Sequence, residues 1–185
     1  HADGCITKYS LVLELNKRDL QQVENFKSFM SSNSIIINTE KDCVKTQINS
    51  TQLVEELINI GLIKNKSNIY QKVNIDYDLL KHYYRGLIDG DGWIVKHLNK
   101  TSLNHQYEFG LCCGHMEVLI DFEEYIKKEL NVDKIGCRRK TRTVNQIIIG
   151  GNNNFRKIVE LLGYNKYYSM PRKLELINNA LSDIN

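Results

Sequence analysis

One proline, Pro171, stands in 185 residues, and no stretch is rich in proline or in glycine and serine. That composition excludes a long interdomain linker. There are five cysteines (Cys5, Cys43, Cys112, Cys113, Cys137), and no two are spaced C-x-x-C. The odd count argues against a secreted disulfide framework, and the spacing argues against a zinc site. Reduced, mostly buried thiols in an intracellular protein are expected. No apolar run approaches the roughly 18–20 residues of a membrane-spanning helix, and nothing reads as a secretory signal, so no membrane partner is expected. A phosphate-binding glycine loop, a dinucleotide fingerprint and a Ser-His-Asp arrangement are also missing. His82, His97, His105 and His115 show no ligand spacing.

What is present is an ordinary globular composition, 42% hydrophobic and 25% charged, with a formal net charge of +3. The length suits one well-cored domain or two tightly joined halves. Periodicity predicts strands around Ile6–Leu15, a helix over Asp19–Met30 capped by Asp19, strands around Ser34–Thr39 and Cys43–Asn49, and a helix over Gln52–Ile60 stopped by Gly61. A second series follows: a helix over Tyr77–Gly90, strands around Trp93–Lys96 and Gln106–Cys112, a helix over Met116–Leu130, strands on either side of Arg138–Arg142, and a helix over Asn154–Leu162. A last helix starts at Pro171, with Leu174, Ile177 and Leu181 turned inward. The fold class is therefore α+β, an αββαββα unit occurring twice, with its opening helix missing from the first copy. Halves at 1–70 and 71–185 related by a pseudo-two-fold axis are expected, a symmetry suited to duplex DNA.

Tyr84-Arg85-Gly86-Leu87-Ile88-Asp89-Gly90-Asp91-Gly92 carries the strongest chemical signal. Gly86 and Gly90 lie four apart, so they share one helix face and would let a second helix approach closely. Each costs about 1 kcal/mol relative to alanine in a helix, which argues for such a contact. Asp91 falls at the helix C-terminus, where the macrodipole disfavours a carboxylate and a divalent cation would reverse that effect. Gly92 offers the helix stop.

Residues 84–92 resemble the signature helix of the LAGLIDADG homing endonucleases, with G-L-I-D-x-D-G intact from Gly86 to Gly92. His1-Ala2-Asp3-Gly4 resembles the tail of a second copy, x-A-D-G, most of whose helix would precede His1. The resemblance implies two signature helices packed through Gly86 and Gly90, with Asp3 and Asp91 at the base of an antiparallel β-saddle that binds double-stranded DNA. It implies Mg2+ or another divalent ion held by Asp3 and Asp91 and by the carbonyls of Ala2 and Gly90, and hydrolysis of one phosphodiester in each strand. Lysines after the last helix of each half would assist electrostatically. Lys66 and Lys166 share an Asn-Lys step, and Lys64 competes in the first half.

The basic run Arg138-Arg139-Lys140-Thr141-Arg142 is expected on a strand and turn, reaching phosphates or guanine edges. Lys8, Lys41, Lys45, Lys96 and Lys100 fall at strand ends or turns. Along Cys43–Asn49, Lys45, Gln47 and Asn49 share one face and Val44, Thr46 and Ile48 the other. The leading expectation is a monomeric, Mg2+-dependent DNA endonuclease of a mobile intron or intein. Its Asn-, Ile- and Lys-rich composition points to an AT-rich genome such as that of an organelle or phage, with a bacterial cytoplasm also open. A maturase-like binder of intron RNA is the second expectation, and a DNA-binding regulator on a degenerate nuclease scaffold is the third.

Overall fold

The computed structural model describes residues 3–63, 70–98, 104–141 and 144–184. The first half contains β1 (Gly4–Ile6), β2 (Ser10–Asn16), α1 (Leu20–Phe29), β3 (Ile36–Asn38), β4 (Cys43–Asn49) and α2 (Thr51–Asn59). The second contains α3 (Leu80–Asp91), β5 (Gly92–Leu98), β6 (His105–Cys113), α4 (Met116–Leu130), β7 (Cys137–Lys140), β8 (Asn145–Gly150), α5 (Asn152–Leu162) and α6 (Pro171–Ile184). Each half builds one four-stranded antiparallel sheet, in the orders β1-β2-β4-β3 and β5-β6-β8-β7. The α+β class and the repeated element order are as the sequence predicts.

The pleat sorts each strand into two faces. In β4, Val44 and Thr46 are buried and Gln47 and Asn49 exposed, following the alternation legible in the sequence. In the second sheet, Tyr107, Phe109, Leu111, Ile147 and Ile149 turn inward onto α3, α4 and α5. Phe109 stacks on Phe155 of α5 with ring centroids 4.5 Å apart. The second half thus has a large aromatic core, whereas the buried cluster of the first is Leu15, Val23, Val44 and Met170. Met170 comes from the second half. The halves are further joined by Arg172, whose Nε and Nη2 donate to Asp19 Oδ1 and Oδ2 at 3.1 and 3.3 Å.

Several expectations are corrected. Asp19 makes no capping hydrogen bond to α1; its carboxylate is buried against Arg172 instead. None of the five cysteines is buried: Cys5 and Cys137 are exposed and the others half-buried, because they fall at strand ends and on outward strand positions. The strand expected before Arg138 extends through it, since Arg138, Arg139 and Lys140 lie in β7. On α6, Ile177 turns inward as predicted, but so do Ala180 and the charged Lys173.

Candidate functional site

Three buried ionic side chains tie together the helix ends around Asp91. Arg85 and Asp89 stand one turn apart on α3, 4% and 5% exposed. Arg85 Nη1 donates to the carbonyls of Leu162 and Gly163 at 2.9 and 3.0 Å, closing the C-terminus of α5 with a cation where the macrodipole is negative. Asp89 Oδ2 accepts from Met170 N–H at 2.9 Å, placing a carboxylate at the N-terminus of α6. Lys173, one turn along α6, donates its Nζ protons back to the carbonyls of Ile88 and Gly92. Each helix end is thereby capped by a charge of favourable sign from a neighbouring helix.

Burial pushes the Asp89 carboxyl up to about 6, against the pull of Met170 N–H and the Lys173 ammonium. Its Oδ1 is buried and has no hydrogen-bond partner among the described residues. A carboxyl whose folded value is raised binds more protons in the fold than in the unfolded chain, so its contribution weakens as pH rises through the window from about 4 to about 6. Asp89→Asn keeps an acceptor for Met170 N–H and removes the buried charge. The stability of this variant relative to the parent chain should therefore improve by up to about 3 kcal/mol between pH 4 and 6. Urea midpoints measured across that range check this, and a constant difference would refute it.

Asp91 is the last residue of α3 and is exposed, as the sequence predicts for a helix-end carboxylate. Gly92 ends the helix by space and not by handedness. Its backbone is extended, and a β-carbon there would stand 2.6 Å from the Ile88 carbonyl oxygen and 2.8 Å from that of Gly110. The chain passes directly from helix into β5, so Asp91 is held at a rigid junction. The Asp91 carbonyl accepts from the Cys112 thiol at 3.1 Å. Asp3, just before β1, is also exposed. The Lys173 ammonium lies in the field of both Asp3 and Asp91, and burial holds it down at about 8. Asp89 acts on that ammonium more strongly than either of them.

Among the described residues, no group of three or more acidic, histidine or cysteine side chains forms a metal-ligand cluster. Asp3 and Gly90 line one cavity and Asp91 follows Gly90, so two carboxylates with a helix-end carbonyl would offer a small hard-oxygen set. That set fits Mg2+, which keeps several waters and is usually held through one or two carboxylates plus substrate phosphates. Ala2 and Lys66 lie outside the described residues, as do Lys64, Lys100 and Arg142. Lys166 is exposed after α5, its ammonium 5.0 Å above the Tyr167 ring. Gly86 and Gly90 face a cavity of roughly 350 Å³ also lined by Asp3, Leu13, Leu15 and Phe26. Among the described residues nothing lies within 4 Å of where a β-carbon on Gly86 would stand, so none of them makes the close helix contact expected there.

The pleat also redistributes the basic residues. Lys96 pairs across strands with inward Tyr107 and bonds Asp183 of α6, on the helix-covered face. Arg138 pairs with inward Ile147 and its Nε lies 2.7 Å from Glu123 of α4. Lys140 pairs with buried Asn145 at the strand end. These three stand on the helix side of the sheet, because alternation sends every second residue of a strand to the helices. Lys45, Gln47 and Arg139 stand on the faces that no described helix covers, and Lys8 is exposed in the β1–β2 turn. Sequence reasoning missed Arg85, Asp89 and Lys173. Two of them lie inside the motif at i,i+4, which was a usable signal; Lys173 gave none.

No family model matches the sequence, and no curated protein matches it. Solved structures do. The LAGLIDADG meganuclease I-AabMI bound to uncleaved DNA matches with a TM-score of 0.65 and 15% identity, over 98% of this chain and 86% of that one. Meganuclease I-SmaMI bound to uncleavable DNA matches with a TM-score of 0.66 and 13% identity, over 98% and 86%. Full-length DUF199/WhiA from Thermatoga maritima matches with a TM-score of 0.55 and 16% identity, over 100% of this chain and 57% of that one. At these identities the likeness is one of fold: the chain has the fold of the LAGLIDADG endonucleases.

Proposed function

We propose that the chain is a site-specific endonuclease of double-stranded DNA that depends on Mg2+ or another divalent cation and acts as a monomer whose two halves each address one strand. The observation that carries this reading is one cavity lined by Asp3 of the first half and by Gly86, Asp89 and Gly90 of α3, with the exposed Asp91 next along that helix end. The two sheets beside them have outer faces bearing Lys45, Gln47 and Arg139. The likeness to DNA-bound meganucleases supports the same reading at the level of fold.

In this reading Asp3, Asp91 and the Gly90 carbonyl hold the ion, together with the carbonyl of Ala2. When bound, Mg2+ supplies a more acidic water and charge neutralisation at the leaving oxygen. The protein's own part is positional. The Gly92 junction and the Lys173 cap hold the Asp91 carboxylate in one place, the outer strand faces fix the duplex, and Lys166 adds positive charge near the phosphates, with Lys66 as its counterpart in the first half. Paired carboxylates beside a phosphate backbone repel it unless a cation lies between them, so they serve a nuclease better than a pure binder of DNA or intron RNA. A mobile intron or intein is the proposed genetic setting.

The test is incubation with a randomised duplex library with Mg2+ and, separately, with EDTA. Cut products confined to a few sequences, and lost in EDTA, are the expected result. Cleavage that persists in EDTA would overturn the metal role. Retained duplex binding with no cutting at any sequence would overturn the nuclease reading in favour of a binder.

A further inference from the structure

The outer face of the second sheet carries an apolar row beside the candidate site. Trp93 pairs with Gly110, Gly110 with Ile148, and Ile148 with Cys137, so four residues of four adjacent strands lie side by side. Their neighbours along the strands, Ile94, Phe109, Leu111, Ile147 and Ile149, belong to the core, which puts this row on the face opposite the helices. Gly110 has no side chain for a specific reason: a β-carbon there would overlap the Trp93 indole, so the ring lies across the glycine. Trp93 and Ile148 are half-buried and Cys137 exposed, and among the described residues none of the three belongs to the core cluster. The matching row of the first sheet is Cys5, Val12 and Gln47, which ends in an amide.

The row is flanked on its outer face by Arg139 and Gln146 on one side and by Glu108, 3.0 Å from His97 Nε2, on the other, and it lies two residues from Asp91, roughly 7 Å along a strand. Cationic and amide neighbours suit a nucleic acid, and the one strongly apolar group that a base pair shows in the major groove is the thymine 5-methyl. We propose that Trp93 and Ile148 form a thymine-methyl reader that makes the second half-site selective for T at an inner position of the target. Gln47, at the corresponding place of the first sheet, suits the donor and acceptor edge of adenine, so the two half-sites differ there. This inference rests on the DNA-directed reading of the outer face.

The experiment uses the full chain. Duplexes bound from a randomised library are sequenced, and the enriched duplex is remade with deoxyuridine for thymine at each inner position, which removes only the methyl group. The parent chain should bind one such duplex roughly fourfold more weakly, the worth of one buried methyl. Trp93→Ala should bind the thymine and uracil duplexes equally. Ile148→Ala, an outer-face change that leaves the Gly110–Trp93 packing in place, should narrow the difference even if Trp93→Ala fails to fold. Binding that is tight yet indifferent to every uracil replacement would overturn the reader while leaving the DNA reading intact. Enrichment of no duplex at all would overturn the DNA reading and the reader with it.

Discussion

Asp91→Asn is expected to reduce cleavage of the preferred duplex by about three orders of magnitude while leaving its binding unchanged or slightly tighter. The carboxylate is exposed at the end of α3, where the helix dipole is negative, so it contributes little to folding. Asparagine keeps the shape, the extended Gly92 junction and the Cys112 contact to the main-chain carbonyl. What it loses is one of two negative charges, and removing one electrostatic partner of a developing charge costs about two to three powers of ten. Binding behaves oppositely, since a carboxylate beside a phosphate backbone repels it. Single-turnover cleavage with Mg2+, paired with polarisation binding in its absence, separates the two effects. Full cutting by the variant would sink the role of Asp91, and a parallel loss of binding would make it a folding or contact residue.

Lys173→Met should give the largest loss of stability, about 3–5 kcal/mol. The ammonium is 3% exposed and donates to the Ile88 and Gly92 carbonyls. Methionine fills the space but leaves both carbonyls without that donor, and leaves Asp89 with less compensation for its buried charge. The pH dependence carries a sign of its own. The fold holds Lys173 down at about 8, against 10.5 in the unfolded chain, so between those values the unfolded chain binds more protons and stability rises with pH. Lys173→Met should lose that rise. The double variant Lys173→Met with Asp89→Asn should be destabilised relative to the parent by less than the sum of the single effects, because the charges are partners. Denaturant midpoints from pH 6 to 10.5 report all three expectations, and a variant within 1 kcal/mol of the parent throughout would refute the capping role.

Element type was readable wherever one periodicity ran for two turns of helix or five residues of strand. Met116–Leu130 and Cys43–Asn49 match the predicted spans. Turn-forming residues with local causes were also readable: α2 and α5 stop at Gly61 and Gly163 in left-handed backbone. The face on which a short polar strand places each residue was not readable. In Arg138-Arg139-Lys140 all three side chains are cationic, so no alternation in hydrophobicity reveals that Arg138 turns to Glu123 and Arg139 away. Buried charges were hidden for a related reason. Lys173 stands at the inward spacing of Ile177 and Ala180, yet a lysine in an amphipathic helix ordinarily marks its solvent side.

The sequence by itself determined the α+β class, the repeated order of elements and the placing of Asp91 at a helix end, because these follow from local periodicity and from a glycine-marked motif. Only the tertiary structure decided which charges serve the site. Arg85, Asp89 and Lys173 act through carbonyls and amides some 80 residues away, and a cation is tolerated inside the protein only where the fold brings such partners to it. The tertiary structure likewise decided that Trp93 lies over Gly110 on the face opposite the helices, since strand register and not sequence separation sets that contact.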